Sequence, residues 1–127
     1  MTMKVVVVDA GQLPAGVEFP PLETAKYAWE QYPALQGDDI AERCWRADIV
    51  VALSTAIDSI NLKKMYRLKL LIAAGCACQG LDEIAAQAQG VELLAFPDAE
   101  CNDSLMAQEL CNSIARAIDH YIRNFQH

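Results

Sequence analysis

Short runs of apolar residues alternate with amphipathic stretches along the whole chain. The clearest run covers residues 70–74 and contains no polar position, which is typical of a strand buried on both faces of a sheet. Similar runs, rich in β-branched residues, predict strands over residues 4–9, 47–53 and 91–96. A shorter mixed segment, residues 27–30, is interpreted as a further strand at an edge of the sheet.

The stretches between these runs carry apolar residues at helical spacing. Short polar residues stand where the helices would begin, which is the usual preference at a helix N-cap. The predicted helices begin near residues 38, 58, 82 and 103 and end near residues 46, 66, 89 and 124. The last of them, at about 20 residues, is the longest.

Strands that alternate with helices indicate an α/β fold with a parallel sheet and right-handed crossovers. Five strands within about 100 residues fit a flavodoxin-like, doubly wound sheet of order 2-1-3-4-5, followed by a long C-terminal helix. We therefore expect a single domain over residues 1–127. Its α/β core would cover residues 1–102, and the C-terminal helix would cover residues 103–127.

Composition narrows the class of protein. With 54% hydrophobic residues the chain is globular, and no apolar run approaches the about 18 residues that cross a bilayer. The net charge of −7, from 17 acidic and 10 basic residues, repels nucleic acid and anionic lipid, so we expect no partner of either kind. The first residues are typical of a strand and not of a signal peptide, which predicts a cytoplasmic protein.

The loop over residues 75–80 is the best candidate for a site, because ligands of parallel sheets bind where strands end. Ser54 and Thr55 follow the third strand and can either contact a small anion or cap the next helix. The segment that starts with Asp9 is interpreted as a turn, and Asp82 as an acid that complements a helix dipole. The candidate ligand-binding residues are Ser54, Thr55, Gly75, Cys76, Ala77 and Cys78.

Five cysteines in a chain without export signals favour free thiols over a disulfide framework. Cys76, Cys78 and Cys101 follow neighbouring strands, so a cluster of these thiols can act as a redox sensor or bind a metal. The sequence evidence for a metal site is weak, because neither a Cys-x-x-Cys pair nor a histidine at ligand spacing accompanies these cysteines. The alternative is that these cysteines serve as small apolar residues in tight packing.

The last helix has an apolar seam over residues 111, 114, 118, 121 and 125, with spacing 3-4-3-4. Either this helix folds back and covers one face of the sheet, or it leaves a second apolar stripe exposed. An exposed stripe needs a partner, and a symmetric dimer is the simplest one. We expect a homodimer formed through the C-terminal helix.

Three segments together suggest a family. MKVVVVDAGQLPAG, IAERCWRADIVVA and YRLKLLIAAGCACQGLDEIAAQAQGVELLAFP resemble, in this order, the N-terminal substrate domain of D-2-hydroxyacid dehydrogenases, and more specifically the formate/glycerate dehydrogenase catalytic domain. The resemblance implies that backbone N–H groups of the loop over residues 75–80 help to hold a substrate carboxylate. In this loop region only Leu81 and Asp82 keep the residues usual in the family.

The chain lacks what the family uses for turnover. It has no G-x-G-x-x-G fingerprint, and the family's catalytic arginine, acid and histidine belong to the missing nucleotide-binding domain. We therefore expect no cofactor, with NAD entering only through a nucleotide-binding partner supplied in trans. The leading hypothesis is a stand-alone substrate-domain homologue, non-catalytic alone, that binds a small carboxylate or a protein partner. The alternatives are a fragment or trans-acting subunit of an NAD-dependent 2-hydroxyacid dehydrogenase, and the thiol-based sensor or metal-binding protein.

Overall fold

The computed structural model describes residues 2–23 and 26–125 and contains one parallel sheet of five strands. The strands are β1 (Met3–Val7), β2 (Tyr27–Gln31), β3 (Ile49–Ala52), β4 (Leu70–Ala74) and β5 (Glu92–Phe96). Their order in the sheet is β2-β1-β3-β4-β5, and every neighbouring pair is parallel. The predicted α/β class and strand order are therefore confirmed.

Four α-helices connect or follow the strands. They are α1 (Asp38–Cys44), α2 (Ser59–Lys64), α3 (Glu83–Ala88) and α4 (Ser104–Phe125). Asp58 caps α2 and Asp82 caps α3, each through a carboxylate that accepts a hydrogen bond from the backbone N–H three residues on. The candidate loop after β4 is itself a 3-10 turn over Gly75–Gly80. The long C-terminal helix is thus confirmed, and residues 126 and 127 lie outside the described part.

Side chains that alternate along the strands supply two cores, one on each face of the sheet. Val6, Val50 and Leu71 face the three short helices, where Ile40 of α1 and Leu62 of α2 complete the first core. The strands in the middle are apolar on both faces because both faces are covered.

The second face is covered by α4. Leu110, Ile114, Ile118 and Ile122 are buried against the sheet residues on this side. Cys111 is also buried, in a small cluster with Val17 and Ala107.

The predicted seam of α4 therefore packs inside the domain. Cys111, Ile114 and Ile118 are fully buried and Tyr121 is half-buried, while the side chain of Phe125 lies outside the described part. This arrangement matches the first of the two readings, in which the helix folds back on the sheet. The homodimer stays a prediction. Across residues 2–23 and 26–125, no helix has the length and apolarity needed to span a bilayer.

Two of the three buried polar residues serve the scaffold. Asp48 accepts hydrogen bonds from the Lys4 backbone N–H at 2.9 Å and from the Lys69 ammonium at 3.0 Å, at the amino ends of the strands. Asn61 accepts from the Ala41 backbone N–H at 3.2 Å and so joins α2 to α1. The third buried polar residue, Asp9, lies beyond the carboxyl end of β1.

The packing of α4 predicts how single truncations will behave. Ile118→Ala should lower the free energy of unfolding by about 2–5 kcal/mol, because it leaves a cavity under the helix. Leu105→Ala, on the same helix but with its side chain 69% exposed, should change it by less than about 0.5 kcal/mol. Urea unfolding measures both variants. Equal effects would contradict the placement of α4 on the sheet.

Candidate functional site

The carboxyl ends of β1, β3, β4 and β5 lie along one end of the sheet and border an open cleft of about 610 Å³. Ligands of parallel sheets bind at the carboxyl ends of the strands, so the cleft is the candidate site. The residues that line it are Gln12, Leu53, Ser54, Gly75, Cys76, Gln79, Pro97, Asp98, Ala99, Glu100, Cys101 and Asn102.

Asp9 holds the segment after β3 in place beside the cleft. Its side chain is fully buried, and its two carboxylate oxygens accept three backbone N–H groups. The N–H of Leu53 lies 2.8 Å from Oδ1, and those of Ser54 and Thr55 lie 2.7 and 2.8 Å from Oδ2. A buried carboxylate is tolerated when such bonds satisfy it. Asp9 therefore has a definite partner and is more than a turn residue.

Gly75 allows the chain to turn sharply out of β4. Its φ of +53° lies in the left-handed region, and a Cβ atom there would stand 3.0 Å from the carbonyl oxygen of Ala99. A larger residue would therefore be strained and would also push away the loop after β5. No side chain caps the start of the 3-10 turn that follows, where the first N–H groups lack partners within the turn itself. These N–H groups are the donors that the resemblance assigns to a carboxylate.

The structure divides the six predicted ligand-binding residues. Ser54, Gly75 and Cys76 line the cleft. Thr55 lies beside it and gives its N–H to Asp9. Ala77 is buried in the first core, and the Cys78 thiol lies 3.3 Å from the carbonyl oxygen of Ala73 and packs against that same core.

The three predicted thiols do not gather at one point. Cys76 is exposed and Cys101 half-buried, and both line the cleft, whereas Cys78 packs on the other side of the sheet. Cys101 packs instead against Cys111, a contact that the sequence interpretation missed. Burial raises the pKa of the Cys101 thiol, and the Asp9 carboxylate adds to the shift. Since the thiolate is the reactive form, Cys101 is a poor nucleophile.

The charged groups of the cleft are acidic. Asp98 and Glu100 line it, and neither lysine nor arginine is among its described lining residues. In the described part of the chain, no group of three or more His, Cys, Asp or Glu side chains is placed to hold a metal ion. The cleft thus offers backbone N–H groups, the Ser54 hydroxyl and amide side chains for binding, and two carboxylates also line it.

Comparisons with known proteins show one relation. No family model matches the chain. Over 89 residues, 70% of the chain, it is 26% identical to a protein of Haemophilus influenzae described as "Putative 2-hydroxyacid dehydrogenase". The match covers only 28% of that protein's length. This similarity supports a relation to 2-hydroxyacid dehydrogenases and leaves the particular domain open.

The role of Asp9 can be tested with two matched amides. Asp9→Asn keeps one acceptor oxygen and turns an NH₂ group towards backbone donors, so it should lower the free energy of unfolding by about 2–4 kcal/mol. Asp98→Asn, at an exposed position in the same cleft, should change it by less than about 0.5 kcal/mol. Urea unfolding compares the two variants. If Asp9→Asn left the free energy of unfolding unchanged, Asp9 would not hold the segment after β3 in place.

The reactivity of the thiols should follow their exposure. Under native conditions at neutral pH, a chromogenic disulfide reagent should label Cys76 quickly and the buried Cys44 and Cys111 only after unfolding. Burial raises the pKa of these two thiols to about 12 and about 11. Cys76→Ser should abolish the fast phase and Cys111→Ser should leave it intact. A fast phase that persists in Cys76→Ser would show that another thiol is accessible.

Proposed function

We propose that the chain is a homologue of the substrate domain of D-2-hydroxyacid dehydrogenases, binds a small carboxylate in the cleft and does not turn it over alone. The observation that carries this proposal is the uncapped 3-10 turn at Gly75, which begins at the wall of the cleft. The relation to a 2-hydroxyacid dehydrogenase sequence and the strand order support it independently.

The ligand carboxylate would lie against the N–H groups of Gly75 and Cys76, with the Ser54 hydroxyl beside it. Backbone donors of this kind do not depend on the side chains of the loop, which differ from those usual in the family. The N–H groups of residues 53–55 take no part, because Asp9 already accepts them. The Asp98 and Glu100 carboxylates weaken the binding of any anion, so the ligand must be small and its affinity modest.

The residues that line the cleft support the proposal that the chain alone does not turn the ligand over. Hydride transfer from a 2-hydroxy acid needs a nicotinamide and a proton-transfer group against the substrate. Within the described residues, the histidine His120 lies on α4, 2.9 Å from the Asn124 amide, and does not line the cleft. A nucleotide-binding partner in trans would convert the same cleft into part of an NAD-dependent enzyme. This alternative predicts that NADH binds only when that partner is present.

Two other interpretations remain proposals. A thiol-based sensor would now rest on Cys76 and Cys101, since these two thiols share the cleft. A homodimer through α4 would have to use the surface that the sheet does not cover.

Matched variants at Cys76 test carboxylate binding. Cys76→Ser keeps the backbone N–H, whereas Cys76→Pro removes it without changing any charge. In a thermal-shift panel with 2-oxo acids, 2-hydroxy acids and NADH, a ligand at about 100 times its dissociation constant should stabilise the wild type by about 2.7 kcal/mol. Cys76→Ser should keep this shift and Cys76→Pro should lose it.

The unliganded melting temperature of each variant controls for folding. A wild type that responds to no acid would contradict the proposal. A response to NADH by the chain alone would replace it with an enzyme.

A further inference from the structure

A groove runs along α4 on the side next to β5, and it borders the cleft at residues 97–100, which line both. Two concavities, of about 410 and 640 Å³, lie one after the other between this strand and successive halves of the helix. β5 pairs only with β4, so it is an edge strand, and α4 is the helix that covers this face. The groove is therefore bordered by an edge strand on one side and by α4 on the other.

The residues of α4 that line the groove form one stripe. Met106, Leu110, Ser113, Ala117 and Tyr121 follow each other at spacings of three or four residues, so they share one side of the helix. The stripe and the groove extend from Met106 to Asn124, which is about 27 Å of helix. Apolar groups stand at both ends, and the small Ser113 and Ala117 lie in the middle. This profile admits another helix at close range.

The opposite wall of the groove is apolar too. Leu94 and Phe96 of β5 are half-buried and pack against the second core, with one side left open. Tyr121 is half-buried beside them, and Met106 is 46% exposed. An amphipathic helix that enters such a groove binds through apolar residues spaced as i, i+3, i+4 and i+7.

The charged residues around the groove indicate what charge its partner carries. Glu92, Asp98, Glu100 and Glu109 line it, and no lysine or arginine does. Burial raises the pKa of Tyr121, and the nearby Glu92 carboxylate adds to the shift. On α4, Arg123 lies on another side, where it pairs with Glu23 at 2.9 Å and with Asp119 at 3.1 Å. A second copy of this chain, with a net charge of −7, would meet repulsion here.

We propose that the groove between β5 and α4 is a docking site for a basic amphipathic helix of a partner protein. Apolar residues of that helix fill the space over Leu94, Phe96 and Ser113, and its flanking lysines or arginines pair with Glu92 and Glu109. Electrostatic complementarity of this kind raises the association rate and sets specificity. The groove shares residues 97–100 with the carboxylate cleft, whereas Glu92 and the lining residues of α4 do not line that cleft.

The test uses the full chain and a fluorescent 18-residue peptide of leucine and lysine with helical spacing, about as long as the groove. Fluorescence anisotropy gives its affinity, and a peptide with glutamate in place of every lysine serves as reference. Ala117→Arg fills the middle of the groove. Ala88→Arg makes the same substitution at an exposed position of α3, on the opposite side of the sheet. Glu109→Gln and the exposed Glu83→Gln form a second matched pair.

The basic peptide should bind, and its affinity should fall as salt screens the charges. Ala117→Arg should weaken binding by about tenfold or more, Glu109→Gln by about threefold, and the two α3 variants by less than twofold. Equal binding of the acidic peptide, or equal losses in Ala117→Arg and Ala88→Arg, would overturn the proposal. So would sedimentation showing a wild-type dimer that Ala117→Arg dissociates, because the occupant would then be a second copy. Thermal unfolding of each variant confirms that its fold is retained.

Discussion

The buried carboxylate of Asp9 is the interaction on which the candidate site depends. Asp9 follows β1, and its carboxylate accepts hydrogen bonds from the N–H groups of residues 53–55, which follow β3. It therefore ties the carboxyl ends of these two neighbouring strands together. The segment after β3 then meets the turn after β4, where Gly80 lies against Ala56 with no room for a side chain. Gly75 in turn lies against the carbonyl of Ala99. Each loop of the cleft is thus held by the loop before it in the sheet.

This arrangement also explains how the cleft divides its hydrogen-bonding groups. The backbone N–H groups after β3 already donate to Asp9, so they are not available to bind an anion. The donors at the start of the turn after β4 have no capping side chain, and Gly75 and Cys76 line the cleft. A ligand carboxylate would therefore repeat at Gly75 what Asp9 does at Ser54. The acidic wall from Asp98 and Glu100 limits this to small anions.

Much of the fold could be predicted from the sequence, because local patterns determine it. An apolar run such as residues 70–74 is stable in a strand that is buried on both faces. A capping residue such as Asp82 marks the start of a helix. The residues that line the candidate cleft could be predicted only in part. Ser54, Gly75 and Cys76 follow from their places after strands, whereas the burial of Cys78 depends on which way the 3-10 turn rotates. Partners distant in sequence, as for Asp9 and Cys101, have no local signature.

The cleft and the groove share residues 97–100, and the proposed carboxylate binding concerns the cleft. Titration of the ¹⁵N-labelled protein with a 2-oxo acid, followed through backbone amide chemical shifts, tests it most directly. Saturable shifts are expected at Gly75, Cys76 and Ser54, with the groove residues of α4 unaffected. Shifts confined to α4, or no saturable shift at any amide, would contradict carboxylate binding in the cleft.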